Sequence, residues 1–77
     1  MEKLPDRITI DKNILQGKPT IRGLRISASQ IMSALAAGIS QEEILADYPE
    51  LEREDLRAVM LYAANLVEET RIYTFSD

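Results

Sequence analysis

The chain has 77 residues, no cysteine, histidine or tryptophan, and a net charge of −4. That length holds one domain and buries only about 60% of its unfolded surface, so a partner or self-association would add to a thin stability margin. Without Cys or His, disulfide frames, zinc fingers and thiol or imidazole catalysis are excluded, and neither a metal nor a cofactor is expected.

The first third reads as an extended, turn-rich β unit over residues 7–26. Arg7-Ile8-Thr9-Ile10-Asp11 alternates polar with β-branched residues and predicts a short strand. Asp11-Lys12-Asn13 and Gln16-Gly17-Lys18-Pro19 read as turns. Thr20-Ile21-Arg22 and Arg25-Ile26 flank Gly23-Leu24, which predicts a second short strand with a bulge or a tight two-residue hairpin. Gly17 and Gly23 supply backbone angles that strain other residues.

Three helices follow over residues 27–70. Ser27-Ala28-Ser29-Gln30 is a capping box, after which Ala28, Ile31, Met32 and Leu35 form one apolar stripe, with Gly38 as a left-handed C-cap. Ser40-Gln41-Glu42-Glu43 is a second capping box. It opens a short helix that turns Ile44, Leu45 and Tyr48 inward and ends at Pro49. The third helix starts near Glu52 or Arg53. Its stripe is Leu56, Val59, Met60, Ala63, Leu66 and Val67, and Leu61, Tyr62 and Ala64 widen it beyond what one small core needs. Residues 71–77 alternate charged or polar with β-branched or aromatic side chains and read as a strand or an extended tail awaiting a partner. The expected architecture is a single mainly α domain: a three-helix, helix-turn-helix bundle with a small N-terminal β-hairpin.

Residues 1–6 lack the apolar run of a signal peptide, and the longest apolar stretch, residues 58–64, is far short of the roughly 20 residues that cross a bilayer. A soluble, cytoplasmic protein with no membrane partner is expected.

Charge divides the chain. Residues 1–25 set Lys3, Arg7, Lys12, Lys18, Arg22 and Arg25 against Glu2, Asp6 and Asp11, a net +3. Residues 26–77 set Arg53, Arg57 and Arg71 against ten carboxylates, a net −7. Such a split points to two faces with different partners, or to chance clustering on a solvated surface. Catalysis has little support. Glu42/Glu43 and Glu54/Asp55 are sequence neighbours that diverge, and Gly17-Lys18-Pro19-Thr20 lacks the P-loop's earlier glycine while Pro19 removes an amide donor. Neither an enzyme nor a small-molecule substrate is expected. The stretch 49–55 that leads into the third helix holds four carboxylates and one arginine and is repelled from a phosphate-lined groove, so Lys12, Lys18, Arg22 and Arg25 of the β unit are the candidate DNA contacts. The alternative for Arg22 and Arg25 is structural: pairing with Asp11 or capping nearby helices. For a second copy or another protein, the candidate contacts are Leu61, Tyr62, Leu66, Ile72, Tyr73 and Phe75.

The run Gly17-Lys18-Pro19-Thr20-Ile21-Arg22-Gly23-Leu24-Arg25-Ile26 resembles the signature of domain-of-unknown-function family 433, of the form Gly-Lys-Pro-x-Ile-x-Gly-Thr-Arg-Ile. Residues 35–49 are similar to its Gly-x-x-x-x-Glu-Ile-x-x-x-Tyr-Pro stretch, and residues 51–64 to its closing helix. Leu24 stands where threonine is usual. The resemblance implies a homeodomain-like, three-helix fold with a small β extension. It also implies an antitoxin-type protein that neutralises a small PIN-like nuclease toxin and represses their shared operon as a dimer. The acidic and basic halves are consistent with a nuclease partner and an operator. The alternatives are a stand-alone DNA-binding regulator and a non-catalytic interaction module.

Overall fold

A computed structural model describes the backbone of residues 6–74 and the side chains of residues 6–68. Two antiparallel strands, β1 (Ile8–Ile10) and β2 (Pro19–Ile21), precede three helices, α1 (Ala28–Ala36), α2 (Gln41–Asp47) and α3 (Arg53–Thr74). The register pairs Ile8 with Ile21, Thr9 with Thr20 and Ile10 with Pro19. Ile8 and Ile21 face the core, and Thr9 and Thr20 hold their hydroxyls 3.4 Å apart.

Two turns shape the β unit. After β1, Asp11 makes the expected local turn, its Oδ1 accepting from the Asn13 N–H at 2.9 Å and its carbonyl from the Ile14 N–H at 2.8 Å. The chain then passes through the left-handed region at three successive residues, Leu15 (φ +49°), Gln16 (+58°) and Gly17 (+83°). After β2, Arg22 (φ +50°) and Gly23 (+73°) occupy the centre of a turn closed by Leu24 N–H donating to the Ile21 carbonyl at 2.8 Å. The chain comes back alongside β2, with Ile21 N–H donating to the Ile26 carbonyl at 3.1 Å and Thr20 bridging to Ser27. Arg22 and Gly23, not Gly23 and Leu24, are thus the central pair of the turn. Leu24 packs half-buried on the core.

The helix caps follow the sequence. Ser27 Oγ accepts from Gln30 N–H at 3.0 Å, and Ser40 Oγ from Glu43 N–H at 3.1 Å. The Gln30 side chain does not reach back to complete the first box; it donates to the Tyr48 hydroxyl at 2.8 Å and ties α1 to the end of α2. At Gly38 (φ +92°), Ile39 N–H bonds the Ala34 carbonyl and Gly38 N–H the Leu35 carbonyl, a Schellman stop.

The core is a short stack of Ile8, Ile21, Ile31, Ile44, Leu56 and Val59, closed by Ile26 and Leu51. It draws on every element, as a chain this small requires. It covers only the first half of α3. At 22 residues this helix is about 33 Å long, whereas α1, with 9, spans about 13 Å. Burial fades at the half-buried Tyr62 and Ala63. Three members of the expected inward stripe are instead exposed: Met60 by 38%, Leu66 by 40% and Val67 by 67%.

The expected extended tail is corrected. Residues 71–74 continue α3 to Thr74, so Ile72 and Tyr73 lie on its helical backbone, whereas Phe75 falls outside the described residues. With no Gly or Pro after Thr70, each added residue extends an existing ladder without a new nucleation cost. That outweighs the β preference of Ile72, Tyr73 and Thr74. Among the described residues, no helix is long and apolar enough to cross a membrane.

Candidate functional site

The first turn of α3 carries the densest polar contacts among the described residues. Asp55 is fully buried, and its two oxygens accept four hydrogen bonds. Arg22 grips it with a two-pronged fork, Nε to Oδ1 at 3.0 Å and Nη2 to Oδ2 at 2.9 Å. Arg7 Nη1 reaches Oδ1 at 2.9 Å, and the Glu52 N–H donates to Oδ2 at 2.7 Å. That last bond is a reach-back cap from the third residue of the helix to the amide just before it. Arg22 also donates to the Glu50 carbonyl at 2.7 Å, and Arg7 to Glu52 Oε1 at 2.7 Å. Burial opposes ionisation of Asp55. The bonds from Arg22, the Glu52 amide and Arg7 outweigh it and hold the carboxyl below its ordinary pKa. Glu52 and Asp55 raise the pKa of Arg7, and Asp55 raises that of Arg22.

This arrangement is architectural: it fastens the β unit to α3. It commits Arg22, a candidate DNA contact, to Asp55 and Glu50. The structural alternative holds in outline, since Arg22 does sit at a helix end, but its carboxylate partner is Asp55, while Asp11 binds the Asn13 amide. The conformation at Arg22 (φ +50°) goes with this placement. Asp55 and Arg7 were not singled out from the sequence. Their signal was an acidic residue at the third helical position and an arginine flanking a strand.

Lys12, Lys18 and Arg25 are exposed and make no ion pair among the described residues. They do not converge. Lys12 and Lys18 lie at the β1–β2 turn, where a Cβ on Gly17 would stand 3.7 Å from the Lys12 Cα, while Arg25 follows the turn at the other end of β2. Lys18 lines a shallow cleft of about 350 Å³ with Leu15, Gln16, Ser27 and Gln30, at the start of α1.

The candidate protein contacts form two surfaces on α3. Tyr62 and Leu66 line a nearly all-apolar groove of about 290 Å³, with Pro19, Ala28, Met32 and Ala63. Leu61, 52% exposed, lies on another side of the helix, next to Met60 and one turn before Ala64.

The family model described as "Protein of unknown function (DUF433)" matches residues 8–63, from β1 to the end of the half-buried stretch of α3. The chain is also similar to "Uncharacterized protein y4eO" of Sinorhizobium fredii (strain NBRC 101917 / NGR234), 36% identical over 56 residues. That match covers 73% of this chain and 25% of the relative, so the chain spans about a quarter of the length of that protein. No solved structure matches the chain. With the match running through the hairpin, α1, α2, the first half of α3 and the Arg22–Asp55 clasp, the chain belongs to the DUF433 family.

Proposed function

We propose that the chain is a non-catalytic binding protein of the antitoxin type, dimeric, which docks on a small, basic, PIN-like nuclease and neutralises it. The observation that carries this reading is the second half of α3. It leaves the body of the fold beside an apolar groove at Tyr62 and Leu66, on a segment that also holds Glu68. A groove with an acidic neighbour suits an apolar anchor on a basic protein. Ile72 and Tyr73 extend the same helix toward such a partner.

Operator binding is a second part of the reading. The cleft that Lys18 shares with the start of α1 supports it, because a cation beside helix-terminal amides suits a DNA phosphate. Lys12, Lys18 and Arg25 are its candidates, and Arg22 is not carried forward.

The test is co-expression with the products of the flanking genes, followed by size exclusion. A co-eluting small basic protein, lost on Leu66→Glu with the circular dichroism of this chain unchanged, supports the antitoxin reading. Failure of every flanking product to co-elute overturns it. A mobility shift with the chain's own promoter tests the operator part. Its affinity should fall steeply with salt and weaken on Lys18→Ala.

A further inference from the structure

α3 carries a second seam that the fold does not use. Arg53, Arg57, Met60, Ala64 and Val67 recur at alternating spacings of four and three, the seven-residue repeat of a helix that packs along another helix. At about 100° per residue the stripe lies almost opposite Asp55, Val59 and Tyr62, which face the body. All five of its residues are exposed. Met60 and Val67 are apolar side chains in water, and Leu61 flanks them. The stripe has Arg53 and Arg57 at its start, Glu68 beside its far end and Arg71 as the next residue of the repeat.

We infer that this seam is the contact between two copies of the chain, with their α3 helices antiparallel and crossing between Met60 and Ala64. Charge selects the direction. A parallel pair sets Arg53 against Arg53 and Arg57 against Arg57 of the second copy. An antiparallel pair sets Arg53 level with the second copy's Arg71 but brings Arg57 beside the second copy's Glu68 twice, once on each side of the twofold axis, an attraction that the parallel pair lacks. Size selects the register: Met60 of each chain packs over the other's Ala64, large against small. The groove of about 340 Å³ between α2 and α3, lined by Gln41, Arg53, Glu54, Arg57 and Met60, continues the seam and receives the far half of the second copy's helix. Arg53 is already steadied there by Gln41 Oε1 at 3.2 Å, while Arg57 has no ion pair among the described residues.

This inference deepens the dimer of the proposed function and is independent of the nuclease. The chain has no cysteine, so single cysteines report cleanly. Sedimentation equilibrium of the full chain should give two chains for the wild type and one for Ala64→Glu, with unchanged helical dichroism. Under mild oxidation, a mixture of Met60→Cys and Ala64→Cys should cross-link faster than either variant alone. Arg57→Glu and Glu68→Arg should each weaken the dimer, and the double exchange should restore it. A wild-type monomer overturns both the seam and the dimeric part of the proposed function. A dimer that keeps its mass on Ala64→Glu, or in which Met60→Cys cross-links best with itself, overturns the antiparallel seam alone.

Discussion

Arg22 holds Asp55 by both carboxylate oxygens, at 3.0 and 2.9 Å, across 33 residues of sequence. The pair joins a β-turn to the first turn of the longest helix, and Arg7 completes it from the strand side. Removing one partner of a buried charge pair is costly because the other is left uncompensated. Asp55→Ala should cost about 3 kcal/mol. In a domain this small, that lowers the thermal midpoint by more than about 10 °C. Arg22→Ala and Arg7→Ala should each cost less, because both arginines reach solvent and each variant leaves the other arginine on Asp55. Thermal denaturation followed by circular dichroism ranks the three.

Acid should loosen the same clasp. The pKa of Asp55 is lower in the folded chain than in the unfolded one, where it is about 3.9. The unfolded state therefore takes up the proton first as pH falls. The contribution of Asp55 is complete above about pH 4 and is lost as pH descends through the folded value. The urea midpoint of the wild type should drop more steeply over that range than that of Asp55→Asn, which is already weakened at neutral pH. Parallel profiles would remove Asp55 as the cause.

Gly38 ends α1 at φ +92°, where a Cβ meets no neighbour but the backbone angle itself is unfavourable. Gly38→Ala should cost about 1 kcal/mol. Gly38→Asn should cost less, since asparagine tolerates the left-handed region better. Equal losses for the two would point to a cause other than the angle.

Gln16 offers the opposite change. It is exposed and holds φ +58°. Gln16→Gly relieves that conformation while adding freedom to the unfolded chain, for a net gain of up to about 1 kcal/mol. A raised urea midpoint is the expected result, and a lowered one would mean that the turn is not left-handed in solution.

The helices were legible because their signals are local. Ser27, Ser40, Gly38 and Pro49 mark ends by chemistry that acts within a few residues, and Ala28, Ile31, Met32 and Leu35 repeat at helical spacing. What depended on distant partners was not legible. Arg22 read as a DNA contact or as a structural cation, and its carboxylate partner, Asp55, lies 33 residues away. Val67 fits an inward stripe, but inward has no meaning where the body of the fold has ended, and Met60 lies on the side of α3 turned away from Val59 and Tyr62. The length of α3 was underread because Ile72 and Tyr73 suit a strand, and the existing helix overrode that preference. At the candidate surfaces, Tyr62 and Leu66 were named from their spacing, whereas the groove beside them needed Pro19 and Met32, contributed by β2 and α1.

The clasp at Asp55 also bears on how the chain matures as it leaves the ribosome. Arg7 and Arg22 emerge first. Asp55 arrives 48 residues after the first of them and 33 after the second. Until then both arginines lack the carboxylate that they share, and the core that Ile8 and Ile21 join lacks Leu56 and Val59. The β unit is therefore not an autonomous folding piece, and in a nascent chain halted before α3 it should stay open to protease.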